Sequence, residues 1–322
     1  MFHSTQFSFR VPSLQSQVCF ILLNLVITST TWGFQSSESD LTEKVTLAQR
    51  EIIQKLTGQS PVTGGRYLGI RSTPEQRQWS ADYLHAELLN AGLNAQRHQY
   101  KRSHEIFVLN LFLAPMSGTN VYAEVPATTD ANEYVIVGAH YDTEPGSPGA
   151  NDNATGVAAV MALAQQINQL QVREKHFMFV FFDQEEDDAT GSKAFAEMIQ
   201  EKELKVHSVH TIDMLGWDAD GDVAIEVELP TEELKALYEA AASQLQIPIW
   251  RTSVSSSDHS SFRNLGYPAV GITEEYANGD STPHYHQPTD TVDTVNFDYL
   301  AKGTQLIWNV LKTLAVSHNL NP

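Results

Sequence analysis

Two histidines and a set of carboxylates lie along the chain in positions that no hydrophobic core requires. In order they are His140-Tyr141-Asp142, Asp152 within Gly149-Ala150-Asn151-Asp152-Asn153, Glu185-Glu186, Asp213, and His286 ahead of Asp290-Thr291. Two neutral imidazoles and three carboxylates are donors that suit a pair of borderline divalent cations of the zinc type. Three ligating carboxylates and a bridging hydroxide would balance two such ions, whereas the bare acids would repel one another in a partly dry pocket. One acid beside a ligand is then left over to act as a base. Each signal alone has a plainer explanation. A Glu-Glu pair is usually a solvated surface, an isolated histidine a hydrogen-bonded loop residue, and Asp before Asn a helix cap. Five such signals in one order, each after an apolar run or in the turn that follows it, outweigh those explanations.

The elements that must position these groups can be read from the pattern around them. Asp40 to Leu56 carries apolar residues at helical spacing, closed by Gly58. Thr73-Pro74-Glu75-Gln76 places Thr at a cap, Pro at the first helical position and Gln three residues on, a capping-box start for a helix ending near Gly92. Residues 93–126 read as strands. From there strands and helices alternate, with strands at Tyr134–Ala139, Phe177–Phe182, Val206–Ile212, Val223–Val227, Ile247–Thr252 and Ala269–Ile272. Helices fall at Thr155–Ile167, Gly191–Glu201, Thr231–Leu245 and Asn296–Val316. Phe177–Phe182 is apolar on both faces, as the centre of a sheet must be. The alternation predicts an α/β fold, a three-layer α/β/α sandwich with a mixed, mostly parallel central sheet. Sites in such sheets form at the carboxyl ends of strands, where every candidate group falls.

Composition narrows the function. Of 322 residues, 20 are Lys or Arg and 39 are Asp or Glu, a formal charge of −19 that disfavours a nucleic-acid partner. The first 37 residues hold no acid and one base, Arg10, followed by the apolar stretch Val18–Ile27 and then Trp32-Gly33. This stretch is shorter than the roughly 20 residues that cross a bilayer. It reads as a secretory signal over residues 1–33, an uncleaved anchor and an Arg-poor transit peptide being the alternatives, and predicts export to a periplasmic or extracellular space. Residues 34–322 then form a single domain. The one cysteine, Cys19, lies inside that apolar stretch, so a processed chain has no disulfide and no thiol nucleophile.

The segments Val137–Thr143, Gly149–Gly156, Phe182–Glu186 with Gly191-Ser192, Ile212–Gly216, Ser257–Ser260 and Tyr285–Thr291 together resemble the co-catalytic di-zinc aminopeptidases of the bacterial leucyl aminopeptidase type. Their superfamily also holds glutamate carboxypeptidase-like enzymes and glutaminyl cyclases. The resemblance covers roughly residues 60–315 and implies a zinc-exopeptidase-like fold acting on peptides with a free amino terminus. It implies that His140 and Asp213 hold one of two Zn2+ ions, Glu186 and His286 the other, and that Asp152 bridges them. Glu185 would be the general base, Asp142 would orient His140, and a cis peptide would follow Asp152. Glu274 and Glu275 are candidates for the acid that receives the substrate's amino group.

The pattern also departs from that family. Asp187-Asp-Ala-Thr-Gly-Ser192 replaces the usual x-Gly-Leu-x-Gly-Ser, with the distance to Gly-Ser kept. Val254-Ser255-Ser256 lacks a tyrosine that some members use at the oxyanion, leaving Tyr276, Tyr285 or a zinc alone for that role. His284 competes with His286, which the His-x-x-x-Asp-Thr spacing favours. Asp258 and His259 read as braces of the pocket. Asp218-Ala-Asp220-Gly-Asp222 hints at a calcium loop, but Leu229 stands where an EF-hand needs Glu, so a polar turn is the better reading. A glutaminyl cyclase, an acyl transferase with one zinc, is the nearest rival. A non-catalytic binding module on the same fold is the rival from another class. No Gly-x-Ser-x-Gly or His-Glu-x-x-His occurs.

Overall fold

The computed structural model describes residues 38–103 and 115–316, with side chains from residue 43 onward. The expected signal segment lies outside the described residues, as do residues 104–114 of the stretch read as strands. Residues from Glu38 on cluster as one compact unit. Among the described residues no helix is long and apolar enough to cross a membrane.

Eight strands form one sheet: β1 (Asn94–Arg102), β2 (Met116–Val125), β3 (Glu133–His140), β4 (His176–Phe182), β5 (Lys205–Ile212), β6 (Ile225–Glu228), β7 (Ile249–Thr252) and β8 (Ala269–Thr273). Their order is β1-β2-β4-β3-β5-β8-β6-β7. The middle is parallel: β3 lies between β4 and β5, with Val137 opposite Phe179 on one side and His210 on the other, and β8 continues parallel to β5. Antiparallel pairs flank it, β2 with β1 and β4 on one side and β6 with β8 on the other. The sheet is therefore mixed with a parallel centre, as the alternation predicts.

Helices α1 (Glu38–Leu56), α2 (Pro74–Asn90), α3 (Gly156–Gln169), α5 (Glu232–Leu245) and α7 (Phe297–Val316) share one apolar core. Helices α4 (Thr190–Glu201) and α6 (His259–Arg263) cover the other face. Strand β4 shows why its sequence has no polar side. Phe177, Phe179 and Phe181 enter the first core, whereas Met178, Val180 and Phe182 pack with Phe195, Ile199 and Phe262 in the second. Full burial of one such phenylalanine stabilises by roughly 2–3 kcal/mol, so this strand anchors both layers. The predicted capping box of α2 is present: Gln76 N donates to Thr73 Oγ1 at 3.3 Å and Thr73 N to Gln76 Oε1 at 3.0 Å. One turn into that helix, Arg77 Nε meets Asp183 Oδ1 at 2.7 Å in a buried ion pair, fixing the end of β4 from which the paired glutamates project. Helix α6 was not expected from the sequence. Its five residues are too few to show a period.

Candidate metal centre and active site

The carboxyl ends of β3, β4 and β5 converge with the loop after β8. His140, the last residue of β3, places Nε2 3.3 Å from Asp152 Oδ1 and 3.3 Å from Asp213 Oδ1. His286 places Nε2 3.2 Å from Asp152 Oδ2 and 3.2 Å from Glu186 Oε2. Asp152 thus turns one oxygen to each imidazole. These separations exceed the charge-assisted hydrogen bond of about 2.7–2.9 Å. They match the edge of about 3.3 Å between donors that surround one ion tetrahedrally at about 2.0–2.1 Å. Glu144 joins the second group, with Oε1 4.0 Å from His286 Nδ1 and its main-chain N donating to Glu186 Oε1 at 3.1 Å.

The loop that carries Asp152 is held by its own short polar residues. Gly149 has φ +64°, and a Cβ there would run into Thr143, Asp152 O and Arg71. The Asp152-Asn153 peptide is cis. Asn153 Nδ2 donates to Ile212 O at 2.8 Å and its Oδ1 accepts from Met214 N at 3.3 Å, which sets the loop against the end of β5 and brings Asp152 to Asp213. Asp290 accepts from Asn151 N at 2.8 Å and from Asp152 N at 3.0 Å. Beneath the loop lies Arg71, fully buried. Its guanidinium donates to five carbonyls: Tyr141 at 2.6 Å, Pro148 at 2.7 Å, Gly149 at 2.9 Å, and Leu56 and Gly69 at 3.0 Å. Burial lowers its pKa to about 10, opposed by Asp290, Asp142, Asp152 and Glu186, so it stays charged at neutral pH. Sequence reading did not single out Arg71, because nothing near it in the chain marks it as a partner of groups some 70 to 220 residues away.

Asp142 has two tasks. Its Oδ1 lies 3.5 Å from His140 Nδ1, and its two oxygens accept from Glu185 N at 3.0 Å and Glu186 N at 3.2 Å. One carboxylate therefore sets both the imidazole and the turn that aims the paired glutamates. Among the described residues no group donates a hydrogen bond to the Glu185 carboxylate, which lines the cavity. Burial, with Asp213, Asp258 and Glu186 nearby, raises it well above the usual carboxylate range against the opposing pull of His140. Burial likewise pushes Glu186 up to about 7 although His286 opposes it. Asp152 goes the other way: burial would raise it, but His140 and His286 hold it below the carboxylate range. Burial would lower both imidazoles, yet the acids win, taking His286 up to about 10 and His140 well above its ordinary value. Burial and the crowding of acids around two imidazoles cause these opposed shifts.

A cavity open to solvent is lined by Asp152, Glu185, Glu186, Asp213 and His286 together with Met214, Glu228, Val254 and Thr273. Tyr276 and Tyr285 both line it, and Tyr285 stacks on His286 with ring centroids 3.7 Å apart. Ser257 Oγ donates to Asp213 Oδ2 at 2.7 Å, a link that sequence reading missed although it lies beside Asp258. His284 faces away, bonded through Nδ1 to Thr289 Oγ1 at 2.9 Å. The expectation for Glu274 and Glu275 needs correction, since neither lines the cavity. Glu274 is wholly buried behind the loop, accepting from Asn151 Nδ2 at 3.0 Å and Trp217 N at 2.9 Å. Glu275 instead accepts from Asn278 Nδ2 at 2.9 Å. In the Asp218–Asp222 segment the carboxylates accept main-chain N–H groups of their own turn, as at Gly221 N to Asp218 Oδ1, 3.1 Å.

The chain is similar to known aminopeptidases. Aminopeptidase YwaD of Bacillus subtilis (strain 168) is 27% identical over 205 residues, covering 62% of this chain and 45% of that protein. The chain spans about half the length of the curated relatives it matches. Among solved structures, an aminopeptidase from Aneurinibacillus sp. strain AM-1 superposes with a TM-score of 0.71 at 17% identity, over 87% of this chain and 96% of that one. A Bacteroides thetaiotaomicron glutaminyl cyclase does so with a TM-score of 0.68 at 16% identity, over 86% and 98%. At such identities these structures share the fold. Residues 120–311 match Peptidase family M28, and over that span, which holds every candidate ligand, the chain belongs to that family.

Proposed function

We propose that this chain is a zinc-dependent metallo-aminopeptidase that removes amino-terminal residues from peptides. The observation that carries the reading is Asp152, whose two oxygens face two different imidazoles at tetrahedral-edge distances. The residues fit two Zn2+ ions: His140 and Asp213 at one, Glu186 and His286 at the other, with Asp152 between them. When bound, such ions lower the pKa of water toward about 7 and polarise a carbonyl oxygen.

The chain's own groups supply the rest. The Glu185 carboxylate takes a proton from the attacking water and returns it to the leaving amine, a task suited to a carboxyl whose proton affinity burial raises. Asp142 holds His140 and the Glu185-Glu186 turn in one arrangement, so base and ligands move together. With Asp152, Glu186 and Asp213 balanced by two ions, Glu185 and Glu228 are the acids of the lining left to attract the ammonium of a free amino end. The acid excess of the whole chain keeps phosphate backbones away, and the basic-then-apolar start at Arg10 and Val18–Ile27 supports export.

Hydrolysis of free and N-blocked aminoacyl-p-nitroanilides, each with and without a zinc chelator, tests the reading. Chelator-sensitive cleavage of the free amines alone is the expected result. No cleavage by zinc-loaded protein would overturn it, and cyclisation of glutaminyl peptides would then favour the acyl transferase.

A further inference from the structure

Glu228, at the end of β6, is an acid that the hydrolysis does not use. It is 3% exposed, yet it lines the cavity. Among the described residues no N–H or O–H donates a hydrogen bond to its carboxylate, and His259 Nδ1 lies 3.5 Å from Oε2. That imidazole faces Val254 O through Nε2 at 3.0 Å, so Nε2 carries the proton and Nδ1 of the neutral ring has none to give. Space for the carboxylate comes from Gly271, which stands opposite Glu228 in the β6–β8 register. A Cβ there would run into both Glu228 Oε2 and His259 Nδ1.

Depth separates two kinds of ammonium. Asp213 N bonds Ile272 O at 3.0 Å, which puts Asp213 level with Thr273, the residue opposite Glu226. The Glu228 backbone lies two residues deeper, roughly 7 Å at about 3.3 Å per residue. A substrate's α-ammonium stays beside the scissile carbonyl, at the level of Asp213. The cationic end of a lysine or arginine side chain reaches about 6 Å further from its Cα. Met214 and Val254 are apolar residues of the same lining, suited to contact with the methylene stem.

We propose that this cavity receives the side chain of the substrate's first residue and that Glu228 at its floor selects a basic one, lysine or arginine. The proposal rests on the aminopeptidase reading and names its substrate class. In the empty cavity burial, with Asp213 and then Glu226 nearby, pushes the Glu228 carboxyl up to about 8, and a cation at the floor offsets that cost.

The test compares kcat/KM of zinc-loaded protein on Lys-, Arg-, Leu- and Glu-p-nitroanilide, alongside calorimetric binding of lysinamide and leucinamide. Lys and Arg should exceed Leu by about tenfold or more, and lysinamide should bind more tightly than leucinamide. Glu228→Gln keeps the shape and should cut the Lys-to-Leu ratio by about tenfold, mainly through KM. A wild-type preference for Leu overturns the proposal, and this result does not depend on the variant folding. An unchanged ratio in a Glu228→Gln protein that melts with the wild type overturns it as well. Both leave the aminopeptidase reading intact. If none of the four amides is cleaved, that reading fails instead, and calorimetry alone decides: equal binding of the two amides overturns the selection of a basic side chain.

Discussion

Asp290→Ala is the sharpest probe of how the chain builds its centre, because Asp290 touches no substrate and ligates nothing in the proposed scheme. Its two oxygens accept the N–H groups of Asn151 and Asp152 at 2.8 and 3.0 Å, and the residue is 1% exposed. Removing it leaves two buried donors unpaired, at about 1–3 kcal/mol each. Part of that is offset, since burial already pushes the Asp290 carboxyl up to about 6 and its own desolvation is relieved. We expect a net loss of about 2–4 kcal/mol in the metal-free protein, read from urea unfolding. The Asp152 side chain, no longer fixed from behind, should bind zinc about 10–100-fold more weakly in competition with a chromogenic chelator. Asp290→Asn, which keeps one acceptor, should fall between. A wild-type urea midpoint together with wild-type zinc affinity in Asp290→Ala would refute the idea that this carboxylate positions Asp152.

Other outcomes follow from the same geometry. Glu185→Gln should lower kcat by about 10²–10⁴ while metal analysis still finds the wild-type zinc content, and loss of zinc would make Glu185 a ligand instead. Arg71→Met strips the donor from five carbonyls, three of those hydrogen bonds fully buried, and should cost about 3 kcal/mol or more in urea unfolding. A cost below about 1 kcal/mol would show that water replaces it. Zinc uptake near pH 7 should release two or more protons, because His140 and His286 are both raised in the metal-free protein and Glu186 is pushed up to about 7. Calorimetry in buffers of different ionisation enthalpy measures this, and no release would contradict ligation by both imidazoles. The raised His286 contributes stability in full below its unfolded pKa of 6.5 and loses it as pH climbs through about 10. Metal-free protein should therefore melt progressively lower between pH 7 and 10, a trend that zinc removes. A flat profile would argue against the pairing of His286 with Asp152 and Glu186.

Much of the fold was legible because the relevant signals are local. The Thr73–Gln76 cap, the two-faced apolar run of β4 and the alternation beyond it all lie within a dozen residues of the structure they determine. The candidate ligands were legible for a related reason: each follows a strand, and His140, Asp152, Glu186, Asp213 and His286 do come together. Partners across the sheet were not readable. That Asp142 receives the N–H groups of Glu185 and Glu186, or that Asn153 reaches the end of β5, depends on a strand order no local pattern encodes. Glu274 shows the same limit in reverse. Its neighbours made it look like a substrate contact, yet β8 delivers it behind the loop rather than into the cavity.

Arg71 has a consequence for how metal would come and go. A chelator can strip a divalent ion from the centre, but it cannot remove a guanidinium held by main-chain carbonyls on every side. That permanent cation ties down Pro148 and Gly149 through hydrogen bonds that involve no ion. The vacated loop therefore retains its shape, and reloading is a matter of side chains closing on an ion rather than of a segment refolding around it. Such a centre should recover its ion quickly after depletion.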